Sequence, residues 1–415
     1  MTDRTSSNAV PSCLVCRSSD VEVFLDLGET ALANKFLSAD ELDRPEPRFS
    51  LRVAFCHDCT HVQLAETVPP DAMFEDYLYV SSASDTLRAH FDDVSKTLVD
   101  RYQLGPDDLV IDIGCNDAAL LDCFRQRGVR TLGVDPARNL AELSKDRGIE
   151  RYVGFFGSAA ATEIVDKWGP ASVVTATNTF PHLPELSDFV DGIDAVLAPG
   201  GRFVIEAHYL VDILEQLAFD TVYHEHVSYW ALRPMQQLFA RHDMEVVTAE
   251  RLPIHHGQLR VTVQRRGEGV VDPSVVELVE LERTLGLDDF ATYCDFADRV
   301  GRIRTDLVAT LGQLRAEGLA LAGYGAPAKG STLLECLGVG PDLLDYIVDR
   351  SPLKQGRFMP GSHIPIVPTE RLLAEQPDYV LLLAWNFVDE ILAQQDEYRR
   401  RGGRFIVPVP AVEIL

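Results

Sequence analysis

A chain of 415 residues is too long for a single hydrophobic core and should divide into domains. With 46% apolar and 25% charged residues, its composition is that of a globular protein and not of a disordered or fibrous one. Its 38 basic side chains against 64 acidic ones leave a formal charge of −26, which repels phosphate backbones and anionic lipid and argues against nucleic acid or a membrane surface as partner.

No apolar run approaches the roughly 18 residues of a membrane helix. The opening MTDRTSSNAVPSC is polar and lacks the apolar stretch of a signal peptide, so the cytoplasm is the expected location. Eight cysteines in such a chain point to metal ligation and free thiols, not to a disulfide scaffold. Cys13-x-x-Cys16 and Cys56-x-x-Cys59 form two knuckles, each able to grip one ion from a tight turn. Together they complete a closed tetrahedral zinc site of the structural kind, with His57 and His61 as spare donors. The intervening ELDRPEPRFS reads as a solvated loop, because its prolines and charges oppose regular structure. Residues 1–75 are therefore expected to form a small zinc module. Tyr77 and Tyr79 lie at its junction with the next unit, where the pattern alone favours packing over catalysis.

Residues 76–266 alternate strands with helices, the pattern of a doubly wound sheet. DLVIDIGC, TLGVD, SVVTATNTF and GGRFVIEA read as successive strands, and EVVTAERL with LRVTVQRR as an antiparallel pair added at the edge. Asp112-Ile113-Gly114-Cys115-Asn116-Asp117 follows the first strand and opens a helix, and Asp135 ends the second strand about 20 residues on. Glycine permits a tight turn and close approach to a ligand, and the acid can accept from a ribose diol. NAD and S-adenosylmethionine (SAM) both present such a ribose. Ala118 stands where a dinucleotide loop would usually carry another glycine, which favours SAM.

Beyond the carboxyl ends of these strands, where ligands of such sheets sit, come His182 and the block Tyr223-His224-Glu225-His226-Val227-Ser228-Tyr229. A zinc-protease helix would need histidine at Ser228, so that reading fails. An acid–base cluster fits better: a near-neutral histidine beside a carboxylate can take a proton from carbon next to a carbonyl, and tyrosine or a second histidine can donate to the enolate oxygen.

Residues 267–415 begin with long helices and then return to alternation through LALAGYGA, LDYIVD, YVLLLAW and RFIVPVP, a second Rossmann-like α/β domain. Its loop Gly323-Tyr324-Gly325-Ala326-Pro327-Ala328-Lys329-Gly330-Ser331 is not a Walker loop, since Lys329 precedes Gly330. Backbone amides there, with Lys329 and Ser331, could still cradle a phosphate. Arg350, Lys354 and Arg357 add cationic side chains near the same edge, and so local a basic cluster in an acidic chain implies an anionic substrate.

The paired CxxC module, YLYVSSAS, VIDIGCND, NTFPHLPEL, YHEHVSYW, HHGQLRV and YGAPAKGSTLL occur in this order along nearly the whole chain. In them the chain resembles the sugar C-methyltransferases that act on thymidine-diphosphate (dTDP) 4-keto-6-deoxyhexoses in the biosynthesis of branched antibiotic sugars such as tetronitrose and mycarose. The resemblance implies that His226 is the general base at C3 of the sugar, with Tyr77, His182, Tyr223 and Glu225 around it. It implies SAM contacts at Asp112, Gly114, Asn116 and Asp135, and a nucleotide-sugar site in the last domain that uses Tyr324, Lys329, Ser331 and Arg350. Ala118 and Gln258 depart from the family's pattern. The competing readings are a nicotinamide-dependent nucleotide-sugar oxidoreductase and a zinc-dependent binding protein. Nothing in the sequence sets the oligomeric state, and a monomer is compatible with it.

Overall fold

The computed structural model describes residues 12–74, 80–83, 85–254 and 257–415. Tyr77 and Tyr79 lie outside the described residues. The first unit contributes strands β1 (Val21–Thr30), β2 (Phe49–Cys56) and β3 (Val62–Leu64). The second carries β4 (Leu109–Ile113), β5 (Arg130–Asp135), β6 (Glu150–Val153), β7 (Ala171–Thr177), β8 (Leu197–His208), β9 (Ser228–Tyr229), β10 (Met244–Leu252) and β11 (Gln258–Arg265). The third holds β12 (Leu321–Tyr324), β13 (Ile347–Val348), β14 (Ile366–Val367), β15 (Tyr379–Leu382), β16 (Arg404–Val407) and β17 (Glu413–Ile414).

The central sheet has seven strands in the order β10-β11-β8-β7-β4-β5-β6. The five from β8 to β6 are parallel, and β11 joins β8 antiparallel, as the alternating pattern of LRVTVQRR predicts. All five residues of β4 are buried, because helices cover both faces of a parallel sheet. The chain goes one way from β4 to β5 and β6 and the other way to β7 and β8, so the order reverses between β4 and β7. The C-terminal sheet runs β14-β13-β12-β15-β16-β17 and reverses between β12 and β15. It is parallel except for β17. Two helices lead into it, Pro273–Thr284 and Phe290–Ala316, capped by Asp272 and Asp289, whose carboxylates accept from the amides of Ser274 and Ala291.

Two features of the first unit were not legible in its sequence. Its sheet has the order β1-β2-β3-β9, so the fourth strand comes from Ser228–Tyr229, immediately beyond the histidine block. The segment ELDRPEPRFS is irregular between Asp43 and Arg48 and half exposed, as expected, but it also docks onto another domain. Its Glu46 accepts from the Gly361 amide at 2.9 Å and meets His363, while Arg48 pairs with Glu335 of the C-terminal domain. Leu37 bridges to Phe358 as an added backbone pair. Pro45 and Pro47 exclude regular structure, but they do not exclude docking onto another domain.

Candidate active site

The loops following β4 and β7 and those following β12 and β15 open onto one shared cavity of about 490 Å³, so the reversal points of both sheets face the same space. Such reversals are where open α/β sheets bind ligands.

On the side of the central sheet, Gly114, Asn116 and Asp135 line the cavity. Gly114 has φ +75°, and a Cβ built on it would lie 1.9 Å from Thr179 Oγ1. The position therefore demands glycine twice over, by backbone and by contact. Gly114→Ala should abolish SAM binding while leaving the C-terminal site intact; isothermal titration with SAM checks this, and an unchanged affinity would contradict it. Asp135 accepts from the Asn116 amide at 2.8 Å and the Ala137 amide at 2.8 Å and pairs with Arg151 at 2.9 Å. A carboxylate has about four acceptor positions, so these three bonds fix the loop and leave one for a ribose hydroxyl. Asp112, by contrast, does not line the cavity. Thr175 donates to it at 2.7 Å, and burial pushes its carboxyl up to about 7. Ala118 also sits in left-handed backbone, φ +61° and fully buried, so its methyl marks no relaxed loop.

The C-terminal sheet repeats the device. Asp349, just after β13, accepts from the Ala326 amide at 2.7 Å and the Ser351 amide at 2.7 Å, tying the glycine loop to the neighbouring strand. Of the four residues that the resemblance puts in the nucleotide-sugar site, only Lys329 lines the cavity. Its Nζ stands 4.1 Å from the centre of the Trp385 indole, and burial pushes it down to about 8. Lys354 joins it, donating to the Ala326 carbonyl at 2.7 Å. Ser331 instead donates to the Ala33 carbonyl at 2.9 Å and fastens the zinc module. Tyr324 is buried under Gln395, and exposed Arg350 pairs with Glu390 on the surface.

Between the two loop sets lie His182, Tyr223 and His226. The ring of His226 is 4.0 Å from that of Tyr223, 5.3 Å from His182 and 4.8 Å from His208. His226 Nδ1 is 2.7 Å from the Thr221 carbonyl oxygen. A carbonyl can only accept, so Nδ1 carries the proton and Nε2 keeps its lone pair. Burial, reinforced by His182, pushes His226 down to about 3 and keeps it neutral. Burial and then His208 push His182 down to about 3 as well. Glu225 does not orient His226, as a simple acid–base pair would require. Its carboxylate accepts from Asn34 Nδ2 at 2.7 Å, and the orienting group is the main chain. Asn34, Phe36, His208 and Trp385 also line the cavity and carry no motif that marks them in the sequence.

The four cysteine sulfurs of the first unit all lie within 4.8 Å of one another, Cys13 and Cys59 at 3.4 Å and Cys16 and Cys56 at 3.5 Å. A tetrahedron of Zn–S bonds of about 2.3 Å puts sulfurs about 3.8 Å apart, so the set fits zinc in a closed, structural site. His57 and His61 stand aside, bonded to Glu22 and Ser228.

Comparison with known proteins agrees with this anatomy. The chain matches a zinc binding domain family over residues 13–74, a methyltransferase domain family over 87–249 and a C-methyltransferase C-terminal domain family over 253–410. It is 37% identical over 407 residues to the C-methyltransferase NovU of Streptomyces niveus, covering 98% of this chain and 97% of that one. A ubiquinone biosynthesis O-methyltransferase of Nitrobacter winogradskyi is 25% identical over 167 residues, 40% of this chain and 59% of that one. Among solved structures, the magnesium protoporphyrin IX methyltransferase of Synechocystis with bound SAM matches 43% of this chain and 79% of its own at 13% identity and a TM-score of 0.32. By its family models and its 37% identity to NovU, the chain belongs to the family of SAM-dependent C-methyltransferases with an N-terminal zinc module.

Proposed function

We propose that this enzyme methylates carbon beside the ketone of a dTDP-linked 4-keto-6-deoxyhexose, at C3, with His226 as general base. The observation that carries the reading is the neutral His226, its Nε2 lone pair set by the Thr221 carbonyl, inside a cavity that one glycine loop enters from the SAM side and Lys329 and Lys354 enter from the other. The 4-ketone acidifies the C3 hydrogen. His226 Nε2 takes that proton while the C–H electron pair moves into the ketone to form an enolate. Tyr223 and His182, whose ring centres lie 4.0 and 5.3 Å from that of His226, would donate to the enolate oxygen. SAM, when bound, supplies the electrophilic methyl. Burial disfavours the imidazolium that this step creates, so the negative charge arising on the enolate must offset that cost.

Lys329 and Lys354 would face the diphosphate. A lysine near 8 is a cation below that pH and loses its charge as the pH rises through it. The kcat/KM for the sugar nucleotide should therefore fall about tenfold per pH unit above about 8. Lys329→Arg should remove that decline, because guanidinium stays charged. A decline that persists unchanged in this variant would take Lys329 out of substrate binding.

The reading itself is tested by incubating the enzyme with SAM and a panel of dTDP-4-keto-deoxysugars in deuterated buffer. One added methyl, with deuterium uptake at the same carbon in the absence of SAM, supports it. SAM binding without a methylated sugar overturns the substrate class. Location of the methyl by NMR separates C3 from C5, the other carbon flanking the ketone.

A further inference from the structure

Asp220 has no part in the site as described so far, yet its side chain is wholly buried where two domains meet. It belongs to the one-turn segment Phe219–Thr221 of the methyltransferase domain. Its Oδ2 accepts from Trp385 Nε1 at 2.6 Å, and Trp385 opens the turn after β15 in the C-terminal domain. Lys329 from the other C-terminal loop stands over the same indole, and its charge acts on Asp220. Asp220 Oδ1 has no hydrogen-bond partner among the described residues, and the Trp385 bond ties this carboxylate to the C-terminal domain, beside the attraction of Lys329 and a bond to its own backbone amide. The next residue is Thr221, whose carbonyl oxygen accepts a hydrogen bond from His226 Nδ1–H at 2.7 Å.

Side chain and carbonyl therefore sit on adjacent residues of one short turn. The Asp220 side chain grips the domain that would hold the nucleotide, and the Thr221 carbonyl sets the tautomer and tilt of the base. A buried carboxylate is costly unless it is bonded, so its position is firmly specified where the bond forms. We propose that Asp220 is a positioning residue: through Trp385 it couples the seating of the C-terminal domain to the orientation of His226. This rests on the reading of His226 as base. It adds that the base is competent only while Trp385 holds the turn.

The test uses the full-length zinc-loaded enzyme and measures kcat and KM for both substrates, together with deuterium uptake by the keto sugar without SAM. Asp220→Ala should lower kcat and deuterium uptake about 30- to 100-fold, the scale of a catalytic group displaced by about 1 Å. The KM for SAM should stay within about twofold, since the donor loop hangs on β4 and β5. Asp220→Asn retains an oxygen that accepts from Trp385 Nε1 and should recover most of the loss. Trp385→Phe, which keeps a ring but removes the N–H, should reproduce the alanine phenotype, and the double variant should be no worse than either single one. A loss through KM alone, an Asp220→Asn as poor as the alanine, or additive losses would assign Asp220 a merely structural role and overturn the coupling. If Asp220→Ala does not fold, Trp385→Phe and Asp220→Asn decide by the same criteria. A wild-type enzyme that exchanges no proton on any keto sugar defeats the base reading and this inference together. An active wild type with an insensitive Asp220 defeats this inference alone.

Discussion

His226→Ala should lower kcat by a thousandfold or more, within the range of about 10² to 10⁴ for loss of a positioned general base. Deuterium uptake into the keto sugar should vanish with it. Two other histidines are close, but the Thr221 carbonyl fixes the tautomer of His226 and not theirs. His182 is stacked on the ring of Phe74 on one side and His226 on the other, and the His208 ring centre lies 4.8 Å from that of His226. His226→Asn is the sharper variant: its amide can still donate to the Thr221 carbonyl, but it cannot accept a carbon-bound proton. SAM affinity should be unchanged in both, because Gly114, Asn116 and Asp135 hang on other strands. The acid limb offers a second check. With burial holding His226 near 3 in the free enzyme, it stays unprotonated as the pH falls through 6 and 5, so kcat/KM should show no decline near the usual histidine pKa of about 6.5. A folded His226→Asn enzyme that still exchanges the substrate proton would remove His226 as the base.

The parts of this molecule that could be read from its sequence are those in which one local segment contains its own reason. DLVIDIGC announces a buried strand and its tight turn because a run of apolar residues meets a glycine within eight positions. The two CxxC pairs announce a metal because thiolates at that spacing have few other uses. The antiparallel pair β10 and β11 showed itself by its alternation. What stayed hidden depends on residues far apart in the chain. Nothing in Ser228–Tyr229 shows that it completes the zinc module's sheet, since the partner strand Val62–Leu64 lies far upstream. Nothing near Asn34 shows that it reaches Glu225, and Ser331 has the look of a phosphate ligand until it is seen bonded to Ala33. Glu225 shows the same lesson within the site: adjacency in YHEHV suggests that it serves His226, yet consecutive side chains diverge and the main chain does the orienting. Trp385 enters the site through a second sheet whose reversal point faces the first, a relation between domains that no periodicity within either records.

Removing the zinc should therefore cost more than the stability of a peripheral module. Structural zinc sites of this kind contribute on the order of 10 kcal/mol to the fold that holds them, and the cysteines of the first unit sit within the apolar cluster of Leu25, Leu51, Val53, Phe55 and Val62 that the knuckles close. Cys13, Cys56 and Cys59 are wholly buried, and three of its own strands, one of them only three residues long, share the sheet with β9. Chelation, or Cys56→Ser, should melt β1 to β3 and release β9, which begins two residues after His226. It should also release the segment that brings Asn34 to the cavity and anchors on Glu335, Ser331 and Phe358. Methyl transfer should then fall by more than a hundredfold, while SAM affinity changes by less than about threefold, because the donor loop rests on β4 and β5. Metal analysis should give one zinc per chain in the active enzyme, and thermal unfolding of the chelated protein should show an early transition absent from the holoenzyme. If the metal-free protein instead transfers methyl at the wild-type rate, the zinc module is not part of the active-site architecture, and the contacts of Asn34 and β9 with the catalytic block carry no functional weight. If activity and SAM binding are lost together, the module supports the whole methyltransferase domain and not the sugar side of the cavity in particular.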